Sequence, residues 1–172
     1  MPEAMDRTRD HGSTASAKDR TAADSLGEPQ YRAALERLRD FYETLTPESL
    51  SQIGRCYADD AWFKDPFNEV TGLAAIAAIF RAMFTQVDAP RFVVREAILE
   101  GARACLTWEF QFRFRGRGPD VTECIRGASW VEFDHEGRVL RHRDYWDAAE
   151  ELYQKLPVIG ALMRWLRRRL AH

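Results

Sequence analysis

Between Tyr31 and Leu45 the large apolar residues Leu35, Leu38, Phe41, Tyr42 and Leu45 recur at steps of three and four, the spacing of one face of an α-helix. Thr46-Pro47-Glu48 ends that helix and opens another, with Thr46 as the capping hydroxyl and Pro47 in the first helical position, where its missing N–H does no harm. The second helix is short and runs to about residue 57. Residues 61–64 read as a short strand and 65–72 as an irregular loop. A third helix is predicted from residue 73 to about 87, with Ile76, Ile79, Phe80, Met83 and Phe84 on one side. Beyond Pro90 the period changes to two. Residues 91–99, 103–114, 121–133 and 139–146 alternate as strands, interrupted by Glu100-Gly101, by the glycine-containing stretch 115–119 and by the stretch 134–137.

Three helices followed by a meander of long antiparallel strands predict an α+β domain whose helices cover one sheet face. Trp108, Phe110, Phe112 and Phe114 share one side of their strand and are expected to meet the helices. Thr107, Glu109, Gln111 and Arg113 share the other, which is left to water or to a second copy of the chain as a homodimer. Residues 1–28 hold Leu26 as almost their only large apolar side chain, too little to offset the entropy of ordering, and are expected to be a disordered tail. The folded domain is expected to span 29–147, followed by a C-terminal helical extension, 148–172. In that extension residues 158–170 project as a basic amphipathic helix: Ile159, Leu162, Trp165 and Leu166 lie on one arc, and Arg164, Arg167 and Arg168 lie opposite, with Arg169 inside the apolar arc. Such a helix suits docking on the domain, on a partner, or on an anionic membrane surface.

Composition narrows this picture. The 172 residues suit one domain, and the formal net charge of −2 gives no broad basic surface for nucleic acid. Cys56, Cys105 and Cys124 have neither disulfide-framework nor metal-ligand spacing, so no metal site is expected. The chain opens without the apolar core of a secretory signal, and none of its apolar runs is long enough to span a bilayer, so a cytoplasmic protein is expected.

The stretch YADDAWFKDPFNEVTG, residues 57–72, sets one carboxylate, Asp65, between a Trp-Phe and a Pro-Phe pair. Asp65 can be a base in an apolar pocket, where poor solvation would raise its pKa, or the residue that closes a turn, since Asp-Pro is a common turn opening. On the last strand the two-residue repeat carries His142, Asp144 and Trp146 to one face, where Asp144 could set the tautomer of His142 and the two could serve as acid and base.

The wording YADDAWFKDPF, and VEFDHEGRVLRHRDYW near the end, resemble the nuclear-transport-factor-2-like superfamily, in particular its ketosteroid isomerase and SnoaL-like branch, over residues 31–146. The resemblance implies a cone-shaped fold that hosts isomerases, cyclases, hydrolases and binding proteins. It also implies that Asp65 is the proton-shuttling carboxylate and that Tyr42 holds the enolate oxygen. At the position of the branch's second oxyanion group, a protonated aspartate, this chain carries Ser129, which can donate only as a hydroxyl. RHRDYWD is also similar to the last strand of the limonene epoxide hydrolases, with Asp144 as the water-activating residue, but the Arg-x-Asp pair of that branch is missing. The expected lining is Trp62, Phe67, Met83, Phe84, Trp108, Phe110, Phe112, Trp130 or Val131, and Trp146. It suits a rigid apolar ligand with one or two oxygens, such as a sterol, terpenoid or polyketide. The expected activity is cofactor-independent acid/base isomerisation or cyclisation of such a carbonyl compound, the rival class being a non-catalytic ligand-binding protein of the same fold.

Overall fold

The apolar stripe of the first helix is the face it buries. α1 spans Glu28–Glu43 and sequesters Tyr31, Ala34, Leu35, Leu38, Phe41 and Tyr42 against the sheet. The structure, a computed structural model, describes residues 27–115 and 121–151. Of the expected tail, 1–28, all but the last two residues lie outside those residues, and Glu28 already opens α1; most of the 115–119 turn and the expected basic helix at 158–170 also lie outside them.

Thr46 accepts the Ser49 N–H at 3.1 Å while Ser49 Oγ accepts the Thr46 N–H at 2.9 Å, a reciprocal cap. What it starts is a 3₁₀ helix, Ser49–Arg55, and not a second α-helix. The segment buries only Leu50 and Ile53, which stand three apart, the eclipsed spacing that 3₁₀ geometry stacks. β1 (Tyr57–Lys64) begins four residues before the expected strand, because a register shift between Tyr57 and Trp62 and the exposed pair Asp59-Asp60 hide its alternation. Within the stretch expected as loop, Glu69–Thr71 forms β2 and pairs antiparallel with β1. Gly72, at φ 99°, then turns the chain into α2 (Leu73–Gln86), which buries Ile76, Ala77 and Phe80.

β3 (Val87–Glu100) follows without a loop. It passes Pro90 through a bulge between Asp88 and Arg91, with Ala89 in the left-handed region at φ 49°, as an edge strand permits. β4 (Arg103–Phe114), β5 (Glu123–Phe133) and β6 (Val139–Tyr145) complete a six-stranded sheet of order β2-β1-β6-β5-β4-β3. A four-residue helix, α3 (Ala148–Glu151), follows β6.

The sheet is mixed, a departure from the expected wholly antiparallel meander: β1 lies parallel to β6 and every other pair is antiparallel. No hairpin joins β1 to β6; β1 enters the sheet from the helical layer. The Val139 N–H donates to Cys56 O at 2.7 Å, and Arg37 on α1 donates to Arg55 O at 3.1 Å and to Gly137 O at 2.6 Å, tying the three segments together. Bulges in β3 between Val94 and Glu96, and in β6 at Leu140, opposite Glu132 and Phe133 of β5, help to curve the sheet. At the first of these the Val94 N–H is taken up by Glu43 of α1 at 3.0 Å. The main core lies between the helices and the inner sheet face, and Trp108, Phe112 and Ile125 form a second cluster farther along β4 and β5. Among the described residues, no helix is long and apolar enough to cross a membrane.

Candidate active site

Strand alternation on β6 turns His142, Asp144 and Trp146 inward, and the β5–β6 register sets Ser129 opposite Asp144. From these positions a continuous hydrogen-bonded chain crosses the inner face. Trp108 Nε1 donates to Ser129 Oγ at 2.8 Å, and Ser129 donates to Asp144 Oδ1 at 2.5 Å. His142 Nε2 meets the same Oδ1 at 2.8 Å; its Nδ1 meets the Tyr57 hydroxyl at 2.8 Å, which in turn meets the Tyr42 hydroxyl at 2.5 Å.

The donors can be assigned by elimination. Indole N–H only donates, so the Ser129 proton goes to the carboxylate. A neutral His142 that donates from Nε2 must accept at Nδ1 from Tyr57, leaving Tyr42 to donate to Tyr57. Every proton in the chain then points toward Asp144, and bonds aligned in this way polarise one another. Burial pushes the phenols of Tyr42 and Tyr57 well above the ordinary value, so both stay protonated and serve as donors. Tyr57 and His142 are fully buried, whereas the side chain of Asp144 keeps 18% of its exposure. Among the described residues its Oδ2 accepts no hydrogen bond.

That exposure opens into a cavity of about 690 Å³, a size that suits a drug-sized ligand. Its walls are Phe80 and Met83 from α2, Trp108, Phe110 and Phe112 from β4, and Trp146 after β6; Asp65, Phe67 and Asn68 stand at its rim. A smaller void of about 30 Å³ lies beside Tyr42, Ser129, His142 and Asp144, the volume one water molecule takes up.

The expected site residues divide accordingly. Asp65, Phe67, Met83, Trp108, Phe110, Phe112, Asp144 and Trp146 share the cavity. Tyr42, Ser129 and His142 are not in its lining; they line the small void. Trp62, Phe84 and the alternatives Trp130 and Val131, expected in the wall, are absent from it. Trp62 alternates with the buried Phe63 and so faces outward, donating to Glu69 and lying under the Arg141 guanidinium at 5.1 Å. Phe84 packs against the main core instead. Asp65 closes its loop: Oδ1 accepts the Phe67 N–H at 2.7 Å and the Asn68 N–H at 2.6 Å, and the Asn68 amide lies within 3.0 Å of both carboxylate oxygens.

Two members were not foreseen. Tyr57, hidden by the bulge, joins Tyr42 to His142. Gly127 seats Trp108: a Cβ at that position would lie 2.5 Å from the indole ring, too close for any side chain. A glycine inside a predicted strand was the available signal for it.

With this geometry in hand, comparison with known proteins gives the family. A family model for the SnoaL-like domain matches residues 38–142. The chain belongs to the SnoaL-like domain family. No functionally curated protein matches it. Solved structures share the ketosteroid isomerase-like, or nuclear-transport-factor-2-like, fold at low identity. A hypothetical protein of that fold from Catenulispora acidiphila, crystallised with trimethylamine, superposes at TM-score 0.60 with 16% identity, covering 72% of this chain and 93% of the other. An LEH-like epoxide hydrolase from M. tuberculosis gives 0.59 at 16% identity, over 80% and 92%. A candidate SnoaL-like polyketide cyclase from Jannaschia sp. CCS1 gives 0.59 at 16%, over 71% and 88%. At these identities the likeness speaks for the fold alone.

Proposed function

We propose that this chain is a cofactor-independent acid/base catalyst of the isomerase or cyclase type, acting on an apolar carbonyl compound with Asp144 as the proton-transferring group. One observation carries the reading: Asp144 lines the apolar cavity while two donors, Ser129 and His142, occupy a single one of its oxygens. Held in this way the carboxylate is oriented without bulk water, and Oδ2 is the oxygen left for a substrate C–H. In the forward step the C–H bond α to the carbonyl breaks, its proton bonds to Oδ2, and its electron pair enters the enolate. Return of that proton to another carbon gives the isomer, and attack of the enolate carbon on a second carbonyl within the substrate gives a ring, the carbonyl's π electrons passing to its oxygen, which takes the proton from Oδ2 and restores the carboxylate. Asp65, the shuttle implied by resemblance, is less suited to the role because three N–H groups already bind its carboxylate.

The test is α-hydrogen exchange in D2O on a panel of cyclic steroid and terpenoid ketones, followed by mass spectrometry. Asp144→Asn is expected to slow exchange by about 100-fold or more, the scale of a lost general base, with the circular dichroism spectrum unchanged. Full exchange in Asp144→Asn together with its loss in Asp65→Asn would return the role to Asp65. A second reading, binding without turnover, is favoured by the commitment of the Tyr42 hydroxyl to Tyr57, which leaves it no proton for an enolate. Saturable binding of a ketone that shows no exchange would favour that reading.

A further inference from the structure

The mouth of the cavity holds chemistry that proton transfer by Asp144 does not use. Asp65, Phe67, Asp144 and Trp146 all line the cavity, and three of them also line a shallower groove outside it. Phe67 meets Trp146 edge to face with ring centres 5.3 Å apart, so two rings and two carboxylates frame the entrance. Behind them runs a ladder of Phe92, Phe110, Phe112 and Phe114 with successive centres 4.6, 5.0 and 5.1 Å apart. Among the described residues no Lys, Arg or His lines the cavity.

The outer groove holds Lys64 and Arg143, and both are engaged. Lys64 is ion-paired with Glu69, and the Arg143 guanidinium lies 4.7 Å from the centre of the Tyr145 ring. Three carboxylates, Asp65, Asp144 and Asp147, line the same groove.

Aromatic faces carry the negative end of a quadrupole and attract cations, more strongly where water is excluded. The carboxylates act in the same direction, whereas an anionic ligand would meet repulsion from both. Asp65 is also pre-organised: its turn hydrogen bonds orient the carboxylate before any ligand arrives, which lowers the entropic cost of binding.

We propose that this mouth recognises a protonated aliphatic amine on an otherwise apolar ligand, with Asp65 pairing to the ammonium and Phe67 and Trp146 enclosing its N-bound carbons. The inference rests on the reading that this cavity is the substrate site. On that reading the substrate class is an apolar amino ketone and not a carbonyl compound bearing a carboxylate or phosphate. The ammonium would also offset the negative charge of the enolate made by Asp144, a task left open by the Tyr42 hydroxyl.

Equilibrium titration calorimetry of the full chain at pH 7 tests this with three rigid probes of one shape: 1-adamantylamine, 1-adamantanol and 1-adamantanecarboxylate. The amine is expected to bind about tenfold more tightly than the alcohol, and the carboxylate most weakly. Asp65→Asn keeps a carbonyl oxygen for the turn, so it should erase the amine's advantage over the alcohol. Trp146→Leu should weaken the amine more than the alcohol, and it carries the comparison if Asp65→Asn is unfolded. Equal affinity for amine and alcohol, preference for the carboxylate, or no binding of any probe overturns the proposal. An amine preference in a chain that catalyses no exchange would remove the catalytic reading and keep this one. Exchange on neutral ketones without an amine preference would do the reverse.

Discussion

Replacing Tyr57 by Phe removes one oxygen from the centre of the hydrogen-bonded chain. That oxygen donates to His142 Nδ1 at 2.8 Å and accepts from Tyr42 at 2.5 Å. Its loss strands an acceptor on a fully buried imidazole and a donor on a phenol that is 9% exposed. Each stranded buried group costs about 1–3 kcal/mol, so the variant should be less stable by roughly 2–6 kcal/mol, or about 1–3 kcal/mol if the Tyr42 hydroxyl finds a new acceptor. Tyr42→Phe offers an internal control. It leaves Tyr57 free to donate to His142 and should cost about 1 kcal/mol. Removing both hydroxyls strands only His142, so the double variant should be no less stable than Tyr57→Phe alone, the non-additivity expected of bonded neighbours. Urea unfolding followed by tryptophan fluorescence, read as a shift in midpoint at constant slope, supplies the three values. A Tyr57→Phe variant within about 0.5 kcal/mol of the parent, or a Tyr42→Phe variant that is the costlier of the two, would refute the assigned direction of the chain.

Gly127→Ala should destabilise by about 1–3 kcal/mol, as overpacking does, because the new methyl meets Trp108 at 2.5 Å; adding Trp108→Leu should recover part of the loss, and no loss in the single variant would contradict the close approach. Stability should also fall in alkali, since burial raises the pKa of Tyr42 and Tyr57 above 10.0 and that of Cys56 from 9.0 to about 11. A raised folded-state value contributes stability that is complete below the unfolded pKa and is lost as pH climbs, so each phenol should remove about 1.4 kcal/mol per unit above pH 10; urea midpoints that stay level between pH 8 and 11 would disagree.

Much of this molecule was legible as pattern. The stripe of Leu35, Leu38, Phe41 and Tyr42 needs only a helical period to mark a buried face, and the alternation of Trp108, Phe110 and Phe112 needs only a strand. His142, Asp144 and Trp146 fall together for the same reason, because a period of two carries each to one side whatever lies across from them. Asp65 was ambiguous by nature. Asp-Pro reads equally as a turn and as a motif, and only the position of the Asn68 amide decided how much of its carboxylate is already bound.

What the sequence determined by itself, then, is what depends on neighbours a few residues away: element type, which side of each element is apolar, and which chemical groups share a strand face. Tertiary structure decided what depends on partners far along the chain. Tyr57 and His142 are 85 residues apart, and they meet because β1 lies parallel beside β6, a pairing that no local turn specifies. Trp108 and Ser129, 21 residues apart, meet because Gly127 leaves room on the adjacent strand for an indole. The inward turn of Asp144 was written in its alternation, but the two donors on one of its oxygens, and the cavity open to the carboxylate, exist only once β1, β4, β5 and α1 have closed around it.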